Sequence, residues 1–545
     1  MYLTNMSDPI ELAPDYYLTN FVKLTSHALE WYSDMLTSYE LSWILHFEQL
    51  NKHAQCLLVR LLSRKGDWFR SDKLHYAEIG DVIPHLYTLE STGFIVVNGD
   101  ICSSTLADKV LTKPEIISLF SINEKSLRKE QLIARVPVEK FTHFEQLAFT
   151  LIKLQQPTVI NVLLALFFAN THQDLSQFVL DDLGLHQFEH YQLSKERRFF
   201  ASRTELNQLL QLSELQSHYL DSDRKDADSL CDMLIKLSCP LEHPYLERKR
   251  QHLINDMARD LERLGRYTEA LDWFNKTTLP PSHERQARIY DKLDQTDAMR
   301  DVVTKIIQSP YDVAELEVAN KLTDRIKRKL GQRVPRAARA KVEEYQVTLD
   351  LSQQRVELAV KEHFEQLGYQ VFYSENLLLN GLFGLAFWDV LFAPVEGAFI
   401  NRYQYRPLDL YHSDFASKRQ VLIDQVFDNI SISGLSGLAH TYQAKFGIAN
   451  PFVHWSGFSL ELLQNCIKHI PHQLVISLFK VMLTDLKLYR SGMPDLIAFK
   501  GGEFEWIEVK GPGDKLQDNQ WRWIAHFLQL EVPFKVCYVQ ALPKS

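Results

Sequence analysis

The chain has 545 residues, 46% hydrophobic and 24% charged, which is enough for about three or four domains with packed cores. Its formal net charge of −9 is not typical of a nucleic-acid-binding protein, so any DNA contact must come from local basic patches. The six cysteines form no C-x-x-C pair, and no apolar run is long enough to span a bilayer. We therefore expect a cytoplasmic protein with no membrane contact and no structural zinc.

The first 105 residues are predicted to form an N-terminal helical domain with a winged-helix-like part. Apolar residues recur with helical spacing over residues 16–35. Residues 55–97 read as a winged-helix-type arrangement that ends in a short strand. A basic loop in this segment carries Trp68 and Phe69. These two aromatic side chains either meet DNA or anchor the loop to its own core.

Residues 106–140 are predicted to form a SAP-like DNA-binding module of two short helices. Such modules hold duplex phosphates with helix N-termini and nearby cations. The candidate cations are Lys125, Arg128 and Lys129. A linker between domains is the alternative interpretation.

Residues 141–368 have a helical pattern with few glycines and are predicted to form a TPR-like helical domain. The segment 257–274 resembles one tetratricopeptide-type hairpin, and a second begins at Arg285 after a Pro-Pro break. No regular period of about 34 residues extends over three copies. We therefore expect a degenerate helical repeat that serves as a scaffold.

The strongest local charge imbalance lies in residues 321–341, which contain nine Lys or Arg residues and one Asp. In an acidic protein, such a segment either neutralises DNA phosphates or forms a solvated surface. The candidate DNA contacts in it are Arg325, Lys327, Arg328 and Lys329. Arg285 and Arg288 form a further basic pair.

The last predicted domain, residues 369–545, contains the pattern on which the functional interpretation depends. Residues 492–539 predict strand, turn, strand, loop, helix and strand in that order. Asp495 opens the first strand, and Gly501-Gly502 predicts a tight hairpin turn. In the return strand, period-two alternation places Glu508 and Lys510 on one face.

Two carboxylates and a lysine at adjacent strand ends suit a metal-dependent phosphodiesterase. Mg²⁺ or Mn²⁺ needs only one or two carboxylates, because the substrate phosphate and water complete its coordination shell. A lysine two residues beyond a ligand can orient the attacking water or stabilise the transition state. The alternative is a surface turn followed by an exposed strand end that carries a Glu and a Lys.

Pro494-Asp495 followed by Glu508-Val509-Lys510 resembles the PD-(D/E)xK nuclease signature, and the longer string resembles its VRR-NUC branch. With the N-terminal strings YYLTNF and RLLSRKGDWFR, the chain resembles the Fanconi-associated nuclease family. The resemblance implies a multidomain, mostly α fold with a C-terminal α/β PD-(D/E)xK domain. It also implies a structure-selective DNA nuclease that cuts branched or flapped double-stranded DNA near 5′ flaps. A 5′ to 3′ exonuclease activity and a role in interstrand crosslink repair are implied as well.

The family resemblance also implies roles for individual residues. Mg²⁺ or Mn²⁺ would be bound by Glu375, Asp495, Glu508 and the carbonyl of Val509. Lys510 would position water or stabilise the transferring phosphoryl group, and Gln520 would support the site from the following helix. Arg285 and Arg288 would lie in a pocket for a 5′-terminal phosphate. We expect Ser374 to cap an early helix and Glu375 to lie in its first turn.

Two other functions stay open from the sequence. One is a nuclease of the four-way-junction resolvase type, and the other is a non-catalytic DNA-binding helical scaffold. The absence of a P-loop and of a G-x-G-x-x-G motif argues against a nucleotide cofactor. Protein partners are unknown from the sequence.

Overall fold

The computed structural model describes residues 13–124, 126–172, 187–335 and 340–542. The chain divides into two compact units, Met1–Leu185 with Phe200–Ser213 and His186–Phe199 with Glu214–Ser545. Most described residues are helical. Among the described helices, none is both long and apolar enough to cross a membrane.

The first unit packs short helices around a small antiparallel sheet. Its strands are β1 (Trp68–Arg70), β2 (Ile95–Val97) and β3 (Leu151–Leu154), in the order β1-β3-β2. Its helices are α1 (Tyr16–Tyr32), α2 (Ser38–Gln49), α3 (Lys52–Leu62), α4 (Ile83–Ser91), α5 (Ser103–Lys109), α6 (Lys113–Leu119), α7 (Lys129–Ile133), α8 (Val159–Phe168) and the first part of α9 (Arg203–Asp221).

The small sheet includes strands that the sequence pattern did not predict. The predicted short strand is present as β2, but the central strand β3 comes from a segment predicted to be helical. Phe69 is buried, and Trp68 packs on the neighbouring core with the Lys153 ammonium 5.2 Å from its ring centroid. Both aromatic side chains therefore anchor their loop to the protein.

The SAP-like segment folds as three short helices, α5 to α7, rather than as two. Leu106, Ile116 and Leu132 are fully buried in their shared core. Lys129 donates from Nζ to the Asp108 carbonyl oxygen at 2.9 Å. Lys125 lies outside the described residues, and DNA binding by this segment stays a prediction.

The second unit begins with helices that pack on their neighbours in chain order. They are α10 (Ala227–Ile235), α11 (Pro244–Arg263), α12 (Tyr267–Phe274), α13 (Ser282–Lys292), α14 (Thr296–Gln308) and α15 (Val313–Lys329). Gly265, with a positive φ of 79°, makes the turn between α11 and α12 that a side chain would strain.

The C-terminal part of the second unit is organised by a five-stranded mixed sheet of order β4-β8-β7-β6-β5. Its strands are β4 (Glu343–Leu349), β5 (Gln370–Tyr373), β6 (Leu496–Lys500), β7 (Glu503–Lys510) and β8 (Phe534–Ala541). The surrounding helices are α16 (Val356–Gln366), α17 (Leu378–Ala386), α18 (Trp388–Leu391), α19 (Gln420–Ser433), α20 (Gly437–Lys445), α21 (Leu460–His469), α22 (His472–Thr484), α23 (Leu486–Tyr489) and α24 (Asp518–Gln529).

The strand, turn, strand, loop, helix and strand predicted near the C-terminus are present as β6, β7, α24 and β8. Strands β6 and β7 are antiparallel, whereas β8 pairs in parallel with β7 and β4. The mostly helical fold with a C-terminal mixed sheet is therefore confirmed. Strand β4 and helix α16 precede residue 369, so the sheet begins earlier in the chain than the predicted boundary. The division into four domains stays a prediction.

Each face of the sheet has its own core because side chains alternate along the strands. Ile507 and Val509 pack with Val360 and Phe364 on the face that α16 covers. Trp506 points to the opposite face, where its ring stacks on that of Phe527 with centroids 5.4 Å apart. Strand β7 is thus buried on both faces and supplies a rigid base for polar groups at its end.

A buried ion pair between Asp409 and Arg419 allows a test of what stabilises the second unit. Arg419 donates to Asp409 through two nitrogens at 2.7 and 3.0 Å, and both residues are buried. We predict that Asp409→Ala lowers the free energy of unfolding by about 3–5 kcal/mol, because it leaves a buried guanidinium without its partner. Denaturant unfolding measures this loss, and Asp428→Ala, at an exposed position of α19, is the control. An equal, small effect of both substitutions would contradict the prediction.

Candidate active site

Three charged side chains converge where β6 begins and β7 ends. Asp495, Glu508 and Lys510 are 8%, 2% and 7% exposed, respectively. Leu496 pairs with Ile507 across the hairpin, which sets Asp495 beside Glu508. The backbone N–H of Val509 donates to Asp495 Oδ2 at 2.8 Å and fixes the orientation of that carboxylate.

The Glu508 carboxylate is held from two sides. Lys510 Nζ donates to Glu508 Oε1 at 2.6 Å, and Gln520 Nε2 donates to the same oxygen at 2.5 Å. Gln520 is itself fixed, because its Oε1 accepts from the Gln517 backbone N–H at 2.9 Å. Gln520, in the first turn of α24, thus contacts Glu508, and its part in the reaction stays a prediction.

Gly492 allows α24 to approach the loop that carries Asp495. Its φ of +90° belongs to the left-handed region, which favours glycine. A methyl group in place of its hydrogen would lie 2.6 Å from the Asn519 carbonyl oxygen, which is too close. The glycine thus makes the close contact that brings Gln520 and Asp495 to the same site.

Burial and mutual repulsion make this site favour a bound cation. Burial raises the pKa of Glu508 to about 8, the Asp495 charge adds to this rise, and Lys510 opposes it. Burial likewise raises the pKa of Asp495 to about 6, opposed by the Val509 N–H and increased by the Glu375 charge. One lysine offsets only part of the negative charge of these carboxylates. A divalent cation would favour their ionised forms.

Glu375 lies next to this pair but not in a helix, so the predicted cap is wrong. Helix α17 begins only at Leu378, and Ser374 Oγ instead donates to the Pro494 carbonyl oxygen at 3.2 Å. The backbone N–H groups of Ser374 and Glu375 both donate to the Asp495 carbonyl oxygen, at 2.7 and 3.2 Å. These two backbone hydrogen bonds to Asp495 form in place of a helical turn at Ser374. They hold the backbone of Glu375 next to Asp495.

Two neighbours orient the Glu375 carboxylate. The Tyr373 hydroxyl donates to Glu375 Oε2, and Asn376 Nδ2 donates to Oε1 at 3.3 Å. Asn376 adopts a φ of +52° and also accepts from the Met493 backbone N–H at 3.4 Å. We did not predict either neighbour, because Glu375 and Asn376 lie in a turn beyond the end of β5 and not in a regular element.

Glu357, in the first turn of α16, is a further acidic residue near the site, and the sequence pattern does not point to it. Its charge helps to raise the pKa of Asp495, although burial is the largest cause of that rise. The beginning of α16 lies close to the residue after Lys510, since a Cβ on Gly511 would lie 3.8 Å from Val356 Cγ1. No motif links Glu357 to the other acids, because only the fold brings α16 to the sheet.

The donor set fits Mg²⁺ or Mn²⁺, which are hard cations that take oxygen ligands. Within the described ranges, no three Asp, Glu, His or Cys side chains are gathered closely enough to form a metal cage. Such ions do not require one, because substrate phosphate and water complete the shell around one or two carboxylates. Among the described residues, no hydrogen-bond donor reaches Asp495 Oδ1 or Glu508 Oε2, so each carboxylate keeps an oxygen for a ligand.

The basic residues predicted to contact DNA have very different surroundings. Arg285 donates from Nε to the buried Glu262 at 2.7 Å and also from Nη2, and Arg288 donates to Glu284 at 2.6 Å. The Arg285 guanidinium is therefore already paired with a buried carboxylate of α11. Its predicted role in binding a 5′-terminal phosphate would require competition with Glu262.

The basic end of α15 is also partly neutralised. Arg325 and Lys329 pair with Asp291 at 2.5 and 2.8 Å. Lys327 and Arg328 are exposed, and no carboxylate pairs with them in the part of the chain that the structure describes. Of the four predicted DNA contacts in α15, Lys327 and Arg328 are therefore the two without a carboxylate partner among the described residues.

Two segments of the chain match known family models. Residues 15–96 match the family model described as FAN1, HTH domain, and residues 435–541 match the VRR-NUC domain. A Fanconi-associated nuclease 1 homolog from Pseudomonas aeruginosa is 31% identical over 98% of this chain and 97% of its own.

The chain belongs to the Fanconi-associated nuclease family. More distant members include a homolog from Arabidopsis thaliana, 24% identical over 96% of this chain and 67% of its own. Fanconi-associated nuclease 1 of Homo sapiens is 22% identical over 97% of this chain and 62% of its own. The predicted family is confirmed, and the chain is a DNA nuclease of that family with a VRR-NUC domain.

Two solved structures share the fold of nearly the whole chain. The crystal structure of paFAN1 bound to 2-nt 5′-flap DNA with a gap covers 98% of this chain and 100% of its own, with a TM-score of 0.84 and 31% identity. The structure of paFAN1 bound to 1-nt 5′-flap DNA with a gap has a TM-score of 0.82 at the same coverage and identity.

The contact between Tyr373 and Glu375 predicts a measurable effect on metal affinity. Tyr373→Phe removes the hydroxyl that orients the carboxylate, so we expect the Mn²⁺ concentration for half-maximal thermal stabilisation to rise about 10-fold. The unfolding temperature in EDTA should be unchanged. Tyr369→Phe is the control because its hydroxyl does not contact Glu375. An unchanged Mn²⁺ response of Tyr373→Phe would show that this hydrogen bond does not position a ligand.

Proposed function

We propose that this nuclease requires Mg²⁺ or Mn²⁺ and cuts DNA near the junction of a 5′ flap. We also propose that it degrades DNA in the 5′ to 3′ direction and acts in interstrand crosslink repair. The observation that carries the proposal is the buried carboxylate pair, Asp495 and Glu508, held by Lys510 and Gln520 in a chain of this family. The solved relative paFAN1, bound to 5′-flap DNA, supports the choice of substrate.

Each side chain has a proposed part in the reaction. Asp495, Glu508 and the Val509 carbonyl would hold the cation, with Glu375 as a third acidic ligand. When bound, the cation would polarise the scissile phosphate and lower the pKa of the attacking water. Lys510 would hold that water or stabilise negative charge on the transferring phosphoryl group.

Gln520 would act through Glu508 rather than on the substrate. Its amide is fixed by the α24 backbone and donates to Glu508 Oε1, the oxygen that also accepts from Lys510. The other oxygen of Glu508, Oε2, would thereby be left to bind the cation. Loss of Gln520 would loosen the orientation of Glu508 while both carboxylates stay present.

The DNA path is proposed to include exposed cations outside the nuclease site. In the second unit these are Lys327 and Arg328. Four further cations would have to release their carboxylate partners before they could bind a DNA phosphate: Arg285, Arg288, Arg325 and Lys329. In the first unit the candidates are the exposed Arg128 and the half-buried Lys129, whose ammonium donates to the Asp108 carbonyl oxygen. Contacts of this kind would make DNA affinity fall steeply with salt concentration.

A nuclease preference for four-way junctions is the second candidate, because the arrangement of the acids does not by itself select a DNA branch. The non-catalytic scaffold has less support. A scaffold has no need to keep two carboxylates buried beside one lysine, since burial of uncompensated charge is unfavourable.

Cleavage of end-labelled DNA tests the proposal directly. The substrates are a 5′ flap, a 3′ flap, a four-way junction and a linear duplex, each with Mg²⁺, Mn²⁺ or EDTA. We predict metal-dependent incision that favours the 5′ flap and falls at least about 100-fold in Asp495→Ala and in Lys510→Ala. DNA binding by both variants should be largely retained.

Glu503→Ala, at the exposed turn end of β7, is the matched control and should cut like the wild type. Preference for the four-way junction would keep the chemistry and reject the proposed substrate. Tight, salt-dependent binding without cleavage of any substrate would instead favour the scaffold. Cleavage that persists in EDTA or in Asp495→Ala would reject the proposed site.

A further inference from the structure

Two tyrosines and two arginines come together around the loop that leads to Asp495. Tyr405 and Arg490 are exposed, and Arg406 and Tyr411 are half-buried. We call Tyr405, Arg406, Tyr411 and Arg490 the Tyr/Arg patch. Arg490 donates from Nη1 to Tyr411 Oη at 2.6 Å, and its guanidinium lies 5.6 Å from the Tyr411 ring centroid. The Arg406 guanidinium lies 5.4 Å from the ring centroids of both tyrosines. Tyr405 is 45% exposed.

The two guanidinium groups of the Tyr/Arg patch differ from the other candidate DNA contacts in their charge partners. Nowhere in the described part of the chain does a carboxylate form an ion pair with Arg406 or Arg490. Arg285 and Arg325, by contrast, are paired with Glu262 and Asp291. In a protein of net charge −9, two neighbouring unpaired guanidinium groups attract an anion.

A short chain of contacts connects the patch to the acidic site. Arg490 precedes Asp495 by five residues in the same loop. The Arg490 carbonyl oxygen accepts from Asn380 Nδ2 at 2.9 Å, and the same nitrogen donates to the Asn376 carbonyl oxygen at 2.7 Å. Asn376 in turn donates to Glu375. A DNA strand whose phosphate lies at the acids would therefore have its next nucleotides close to the patch.

We propose that the Tyr/Arg patch binds unpaired nucleotides of the branched DNA next to the cut phosphodiester. This inference rests on the proposed nuclease function and specifies its substrate. A base would stack on the exposed Tyr405 ring, while Arg406 and Arg490 hold the backbone phosphates. Paired bases are stacked inside the duplex and do not present a free face to a tyrosine. The patch therefore selects the unpaired strand over the intact duplex.

The experiment uses the full-length chain in the Asp495→Ala background and in EDTA, so that no DNA is cut. The probe is flapped DNA with 2-aminopurine at the first unpaired position, whose fluorescence is quenched when the base stacks. We expect Tyr405→Ala to abolish the quenching and to weaken binding of a single-stranded oligonucleotide about 5- to 150-fold. Affinity for blunt duplex should stay unchanged.

Tyr405→Phe is the matched control because it keeps the ring and removes only the hydroxyl. It should retain the quenching and the affinity, and all variants should share the unfolding midpoint of the Asp495→Ala parent. Arg406→Gln should also weaken single-strand binding and reduce its salt dependence. Retained quenching in Tyr405→Ala, or equal losses for single strand and duplex, would overturn the proposal. The binding assay contains no cleavage step, so it tests the Tyr/Arg patch alone. A wrong assignment of the nuclease function would be detected by the separate cleavage assay.

Discussion

The constraint on which the second unit depends is the burial of two carboxylates at neighbouring strand ends. Asp495 and Glu508 are nearly inaccessible, and one ammonium group, that of Lys510, offsets only part of their charge. Such an arrangement costs folding free energy unless a cation or a proton relieves it. The core on both faces of β7 stabilises the sheet against this cost. The proposed divalent cation would offset this cost by stabilising both ionised carboxylates.

Most polar contacts around the pair serve to hold it in one geometry. The Val509 N–H fixes Asp495, and Gln520 with Lys510 fixes Glu508. Gly492 permits the close approach of α24 from which Gln520 acts. Glu375 is attached through its backbone to Asp495 rather than through a helix cap. Preorganisation of this kind lets a site bind and orient a phosphate without rearranging at each turnover.

The sequence predicted the parts of this site that lie within one continuous segment. The hairpin, its Gly-Gly turn and the face shared by Glu508 and Lys510 follow from period-two alternation and turn chemistry, and the structure has them. Contacts between distant segments could not be read in this way. Glu357 comes near Asp495 only through the packing of α16 on the sheet. Strand β4 pairs with β8, although it lies in a segment that the sequence pattern predicted to be helical. A charge run also does not show which of its cations are paired in the folded chain, as Arg325 and Lys329 are with Asp291.

The most direct test of this account is Mn²⁺-dependent thermal stabilisation of the wild type and of Asp495→Ala, with Glu503→Ala as control. At a Mn²⁺ concentration about 100 times its Kd, binding to the folded state adds about 2.7 kcal/mol of stability. We predict a clear rise in unfolding temperature for the wild type and for Glu503→Ala, and none for Asp495→Ala. An equal rise in all three proteins would contradict it, because the cation would then bind elsewhere.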